Sequence, residues 1–260
     1  MGRPLVFAHR GGRALGPENT IVAFDNGLAA GADGLELDVH LSSDGEVVVC
    51  HDATLDRTTD GTGPIAARTA GDLARMNASL HYGVDLEHEW TGARAGIPTL
   101  REVLHRYHDA GVIIEIKAGT PAAARAVVDV IREAGAIDRV CVGSFSLVAV
   151  QAARAFEPRL ATSASREEGQ WALYRSWLGL SPGRVPYRAL QVPEQAGRLR
   201  VVSPRFLRAV HRSGLAAQVW TVNLEADMRR LFAWGVDGII TDCPDVAVRV
   251  RDEARTTNDE

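Results

Sequence analysis

Eight times along this chain a short apolar run is followed by a longer amphipathic stretch, and this alternation constrains the fold more than any other feature. The runs fall at residues 5–9, 34–41 (continued by 47–51 after the turn Ser43-Asp44-Gly45), 112–117, 140–143, 160–162, 189–192, 216–221 and 238–241. Between them the spacing predicts helices. One covers 20–30, with Asn19 as N-cap and Gly31 as stop; another is opened by the capping-box spacing of Thr99 and Glu102. Others cover 121–134, 147–156 and 167–178, a stretch from Ser203-Pro204 to Arg212, and 225–234 and 244–254. Strands alternating with helices imply a parallel sheet, and eight units in 260 residues imply a closed (β/α)8 TIM-type barrel. A doubly wound open sheet is the alternative. The chain reads as one domain over 1–254, with a polar tail at 255–260.

One excursion breaks the rhythm, an insertion after the second strand at about 52–98. Connections of that length are usually lids or small subdomains. Its Gly61-Thr62-Gly63-Pro64 and Trp90-Thr91-Gly92 pieces read as turns rather than a second core.

The formal charge of −4 argues against general affinity for nucleic acid or anionic membrane, though not against a local cationic pocket. Cys50, Cys141 and Cys243 are odd in number and scattered, so no disulfide framework or zinc spacing follows. Cys141 and Cys243 sit in apolar contexts and read as buried free thiols. No basic n-region precedes an apolar stretch and no run could span a bilayer, so the expected location is cytoplasmic, without a stable membrane anchor.

Charge is placed where a barrel strand should be apolar. In Gly34-Leu35-Glu36-Leu37-Asp38-Val39 the two carboxylates share one face, and the aliphatic residues take the other. Glu115 and Lys117 repeat the pattern on the next strand, opposite Ile114 and Ile116. In a parallel barrel the outer face is covered by helices, so the charges point inward. Three buried carboxylates need partners or a cation, and an oxygen-rich set suits Mg²⁺ or Ca²⁺, with Mn²⁺ also possible. Lys117 can neutralise one charge or hold an anionic substrate.

His9 ends the first strand and His51 the second unit, at the barrel end where catalytic groups gather. Histidine titrates near neutrality, so one can accept a proton while the other donates. His40 shares a face with Asp38 and stays ambiguous; His81, His88, His105, His108 and His211 read as helix-surface or loop residues.

The motifs His9-Arg10-Gly11-Gly12, Pro17-Glu18-Asn19-Thr20, Glu36-x-Asp38, His51-Asp52, Leu55-x-Arg57-Thr58-Thr59, Glu115-Ile116-Lys117, Trp220-Thr221-Val222-Asn223 and Gly238-Ile239-Ile240-Thr241-Asp242 closely resemble the glycerophosphodiester phosphodiesterase family, in order and over nearly the whole chain. The resemblance implies a TIM-type barrel with a small insertion after the second strand. It implies a divalent cation on Glu36, Asp38 and Glu115, with His9 and His51 as the acid–base pair. Arg10 and Lys117 would contact phosphate, and Trp220 would line the pocket. Arg10 could instead pair with Glu36 or Glu18, Asn19 could simply cap its helix, and Asp242 is expected to cap the last helix. The expected reaction is metal-dependent hydrolysis of a small-molecule glycerophosphodiester to glycerol 3-phosphate and an alcohol. The alternatives are a lysophospholipid-cleaving, phospholipase D-like enzyme, which predicts an apolar rim, and a non-catalytic binding barrel.

Overall fold

The structure is a computed structural model that describes residues 2–83 and 92–256. His88, Trp90, Thr91 and tail residues 257–260 lie outside the described residues. The first half of the chain forms β1 (Leu5–His9), α1 (Ile21–Ala29), β2 (Gly34–Leu41), β3 (Val47–Val49), α2 (Ala70–Ala74), α3 (Leu100–Arg106), β4 (Gly111–Ile116) and α4 (Pro121–Glu133). Then come β5 (Val140–Gly143), α5 (Leu147–Phe156), β6 (Ala161–Thr162), α6 (Arg166–Trp177), β7 (Ala189–Pro193), β8 (Gln195–Ala196) and β9 (Leu199–Arg200). The chain continues through α7 (Pro204–His211), β10 (Ala216–Trp220), α8 (Glu225–Trp234), β11 (Gly238–Thr241) and α9 (Pro244–Thr256).

Eight parallel strands run in the order β6-β5-β4-β2-β1-β11-β10-β7, and a parallel bridge between Ser163 and Ala189 brings the two ends together into a nearly closed barrel. The predicted strand 47–51 is β3, which turns back antiparallel on the end of β2. Three helix starts, those of α3, α4 and α7, follow the chemistry read from the sequence. Thr99 and Glu102 form the capping box of α3, Ser165 and Glu168 form a second on α6, and Pro121 and Pro204 sit in the first turns of α4 and α7.

The alternation in the strands decides what each face buries. Leu35, Leu37 and Val39 pack outward with Leu100, Leu104, Val127 and Ile131, while Val219 and Ile239 pack with Phe206, Leu231 and Val250 across the barrel. A separate small cluster of Phe7, Ile113 and Ile240 packs with Trp220 and Cys141. Two residues beyond Phe7 and Ile113, on the same faces, stand His9 and Glu115.

Some expectations differ from the structure. The insertion does have a core of its own: Leu55, Ile65, Ala70, Leu73, Ala78 and Ile97 cluster with Val48 and Cys50. It escaped the sequence reading because its pieces are a 3₁₀ turn (Ile65–Ala67) and the one-turn α2, too short to show a period. The β8–β9 hairpin is likewise too short to announce itself. Cys50 is the buried thiol, whereas Cys141 and Cys243 are half-buried. Helix α9 runs on to Thr256, two residues into the expected tail.

Candidate active site

The register of the sheet assembles the site. β1 pairs with β2 so that His9 lies opposite Glu36, and β2 pairs with β4 so that Asp38 lies opposite Glu115. Glu36, Asp38 and Glu115 each offer a carboxylate oxygen within 4.8 Å of the others. Glu36 and Asp38 are buried and Glu115 is partly so. Lys117 Nζ lies 2.8 Å from Asp38 Oδ1 and 3.1 Å from Glu115 Oε2, so the ammonium bridges two of the three acids.

The three carboxylates do not share their environment equally. Burial, reinforced by the charge of Asp38, pushes the Glu36 carboxyl well above the usual carboxylate range. Burial would raise Asp38 too, but the nearby Lys117 and Arg10 charges overcome it and hold this carboxyl low. Glu115 is raised because its desolvation outweighs Lys117. Lys117 is the mirror case, its burial outweighed by Asp38 and Glu115, which keep it charged. Three converging carboxylates with one compensating lysine form a donor set that could hold a divalent cation, and a cation there would relieve the penalty that drives Glu36 toward its neutral form.

Each histidine has a carboxylate behind it. His9 Nδ1 donates to Asp242 Oδ1 at 2.7 Å, and His51 Nδ1 donates to Asp52 Oδ1 at 2.6 Å. A carboxylate can only accept here, which fixes the proton on Nδ1 and leaves Nε2 as the nitrogen able to exchange a proton. His9 Nε2 stands 3.9 Å from Glu36 Oε2. Burial lowers the His9 pKa, but the Asp242 hydrogen bond and the charges of Glu36 and Asp242 overcome it, for a net rise.

The expectation that Asp242 caps the last helix is corrected. Its Oδ1 holds His9, its Oδ2 accepts from Asn223 Nδ2 at 2.7 Å, and its own N–H donates to Asn223 Oδ1 at 2.9 Å. Asn19 is not the N-cap either. Thr20 caps α1, while Asn19, at φ +58°, donates through Nδ2 to Asp38 Oδ2 at 3.0 Å. Arg10 also has positive φ, +51°, and its backbone N–H donates to Glu36 Oε2 at 3.2 Å. Two non-glycine residues held in this region mark a place where surrounding contacts override backbone preference. Gly11, at φ +92°, could carry no Cβ, which would meet Ala23 at 2.7 Å.

Arg10 does pair with Glu18, Nη1 to Oε1 at 2.9 Å, and its Nε lies 3.3 Å from Asp38 Oδ2. That Nε is buried without a hydrogen-bond partner. The sequence reading gave no role to Arg57, which sits in the insertion. It donates from Nε to Asp52 Oδ2 at 2.6 Å and from both terminal nitrogens to Glu18 at 2.9 and 2.7 Å. Arg57 therefore ties the carboxylate behind His51 to the one that holds Arg10. A signal did exist: a lone arginine five residues past a His-Asp pair is within reach of that aspartate. The ambiguous His40 supports the His51 backbone, with Nε2 3.0 Å from its carbonyl.

His9, Arg10, Glu36, Asp38, His51, Glu115, Lys117 and Trp220 all line one cavity of about 630 Å³. Every residue singled out from the sequence for catalysis, cation or substrate thus reaches one space. Trp220 both lines it and packs edge-on against Phe145, ring centres 5.9 Å apart. The lining also includes the apolar side chains of Phe145, Leu173, Leu199 and Val201 and the ring of Tyr174, beside Arg166 and Gln170.

A sequence model of the glycerophosphoryl diester phosphodiesterase family matches residues 9–246. A glycerophosphodiester phosphodiesterase of Caldanaerobacter subterraneus is 33% identical over 253 residues, covering 95% of this chain and 98% of its own. Another, of Bacillus altitudinis, is 32% identical over 256 residues, covering 96% and 99%. Among solved structures, an Oleispira antarctica phosphodiesterase in complex with the product sn-glycerol-3-phosphate is similar at a TM-score of 0.78 and 26% identity, over 96% of this chain and 97% of that one.

Proposed function

The chain belongs to the glycerophosphoryl diester phosphodiesterase family, and on that premise we propose that it hydrolyses glycerophosphodiesters to glycerol 3-phosphate and an alcohol, using His9 and His51 as its acid–base pair beside a divalent cation on Glu36, Asp38 and Glu115. The observation that carries this reading is the convergence of two carboxylate-backed histidines and three carboxylates on one cavity. The glycerol 3-phosphate bound in the Oleispira relative supports the choice of product.

In this mechanism Arg10 and Lys117 receive the anionic phosphodiester. Arg10 has a buried Nε without a hydrogen-bond partner, and Lys117 is kept charged by its two carboxylates. Glu36, Asp38 and Glu115 would hold the cation, which would supply charge neutralisation to the anionic diester. One histidine takes the proton of the attacking oxygen and the other returns one to the departing alkoxide, each through Nε2. Asp242 and Asp52 hold the two rings in that tautomer and steady the imidazolium that forms. The attacking oxygen is water or the neighbouring glycerol hydroxyl, the latter passing through a cyclic phosphate. Among the described residues no helix is long and apolar enough to cross a membrane.

The apolar part of the lining favours a second substrate for the same site, a lysophospholipid whose acyl chain would lie along Phe145, Leu173 and Tyr174. A single assay tests both. Glycerol 3-phosphate release is followed from glycerophosphocholine and glycerophosphoethanolamine, and phosphodiester cleavage from a lysophospholipid, with Mg²⁺, Mn²⁺, Ca²⁺ or EDTA. Turnover of the small diesters that EDTA abolishes is the expected result. Turnover of the lysophospholipid alone would transfer the reading to the second substrate, and EDTA-resistant turnover would remove the cation from it.

A further inference from the structure

The net charge of −4 hides an uneven distribution. Residues 166–212 carry nine of the chain's 29 basic residues, all arginine, but three of its 33 acidic ones. Two of those acids are already neutralised from outside the segment, Glu168 by Arg154 at 2.7 Å and Glu194 by Arg230 at 2.6 Å. Among the described residues no carboxylate pairs with any of the nine arginines. Three of them instead fix the turn that leaves α6. Arg175, Arg205 and Arg212 donate to the carbonyls of Ser181, Trp177 and Gly179 at 2.7, 2.5 and 2.7 Å.

The same helix carries an apolar stripe that faces water. Trp171, Tyr174, Trp177 and Leu178 recur at helical spacing and are 56%, 49%, 45% and 75% exposed, and Leu180 follows at 46%. The Arg175 guanidinium sits over the Trp171 ring, 5.7 Å from its centre. The stripe is continuous with the catalytic mouth, because Tyr174 lines the cavity and its ring centre is 5.3 Å from that of Trp177. Leu199, 41% exposed on the small hairpin, lines the cavity as well.

We propose that this face docks on an anionic lipid surface. Tryptophan and tyrosine favour the headgroup layer, where one end of the ring is dry and the other wet, and exposed leucines gain by entering the acyl boundary. Arginines without carboxylate partners complement a surface of one negative sign. A protein partner would bring charges of both signs, for which the segment offers one uncommitted acid, Glu167. Docking through this face brings the mouth of the cavity to the lipid, where diesters with apolar tails reside. Attachment does not depend on turnover, so this inference stands or falls apart from the catalytic reading.

The test is sedimentation with vesicles of equal parts phosphatidylglycerol and phosphatidylcholine, compared with phosphatidylcholine alone. The protein should bind the anionic vesicles at least tenfold more tightly, with a blue shift of tryptophan emission. Binding should weaken as salt rises from ~0.1 to ~1 M and the Debye length falls to about 3 Å. Trp171→Ala/Trp177→Ala/Leu178→Ala and, separately, Arg184→Glu/Arg208→Glu should each cut binding at least tenfold. Both should leave hydrolysis of soluble glycerophosphocholine and the melting temperature near wild type, since none of these residues lines the cavity. Wild-type protein that ignores anionic vesicles, or binding that neither variant weakens, overturns the proposal. So does concentration-dependent dimerisation without lipid that the triple variant abolishes, which would make the stripe a contact between copies of the chain.

Discussion

At the scale of the residue, the site is built from groups that hold other groups. The proposed mechanism needs His9 and His51 each in one tautomer, and a carboxylate fixes it in both cases. Replacing His51 by Ala in a folded protein should lower kcat by 10²–10⁴, on the order of what general acid–base catalysis contributes. Near-normal kcat in that variant would remove His51 from the chemistry. Asp242→Asn makes a subtler case, because the amide can still contact the ring but carries no charge. Asp242 is among the causes that raise the His9 pKa, so its loss should move the His9-governed limb of the kcat/KM profile to lower pH. The rate should fall about ten- to a hundredfold, a part of the general acid–base contribution. An unchanged profile would reduce Asp242 to a structural contact. The inward triad was legible in the sequence because strand alternation is local: two residues apart means one face. The role of Asp242 was not, because its bond to His9 spans 233 positions, and nothing in Gly238–Thr241 announces which distant ring it meets.

At the scale of the element, the insertion is what the sequence read least well. Its length marked it, but its core is assembled from short pieces, with Val48 and Cys50 supplied from the β2–β3 side. Arg57 connects that unit to the first loop of the barrel by binding both Asp52 and Glu18. The contact carries a pH signature. The Arg57 hydrogen bonds hold Asp52 well below the usual carboxylate range; Glu18 is lowered too, with Arg57 and Arg10 overcoming its burial. A depressed carboxylate contributes stability that is complete above its unfolded value, about pH 4–4.5, and is lost as pH falls through the folded one. Arg57→Ala should therefore destabilise the protein by about 1–2 kcal/mol near pH 7, a figure reduced for partial exposure. The gap from wild type should begin to narrow below about pH 4 and close only as pH falls through the depressed folded values, where both carboxylates protonate. Urea unfolding at a series of pH values measures this, and a gap that stayed constant into acid would mean that packing, not charge, carries the contact. Because Arg57 also backs His51, the variant should lose activity beyond its loss of stability.

At the scale of the whole molecule, the barrel brings strands that are remote in sequence into one register, and the cost of that convergence is a buried cluster of like charge. β2 and β4 put Glu36, Asp38 and Glu115 together, and Lys117 compensates only part of it, leaving Glu36 driven toward neutrality. A ligand that binds the folded chain and not the unfolded one stabilises it by mass action, so the proposed cation should act on folding as well as on turnover. At about a hundredfold over its Kd the gain is about 2.7 kcal/mol. For a domain above 150 residues that is a rise in Tm of about 5–10 °C. Thermal melts in EDTA and in Mg²⁺, Mn²⁺ or Ca²⁺ measure this without substrate. Glu36→Gln/Asp38→Asn supplies the control. Losing the Glu36 charge relieves repulsion, but losing the Asp38 charge leaves Lys117 and Arg10 less compensated, so this variant should melt no higher than wild type in EDTA and show no rise with any cation. A wild-type Tm that no divalent cation moves, or a variant that still responds, would mean that the three carboxylates answer to Lys117 and Arg10 alone.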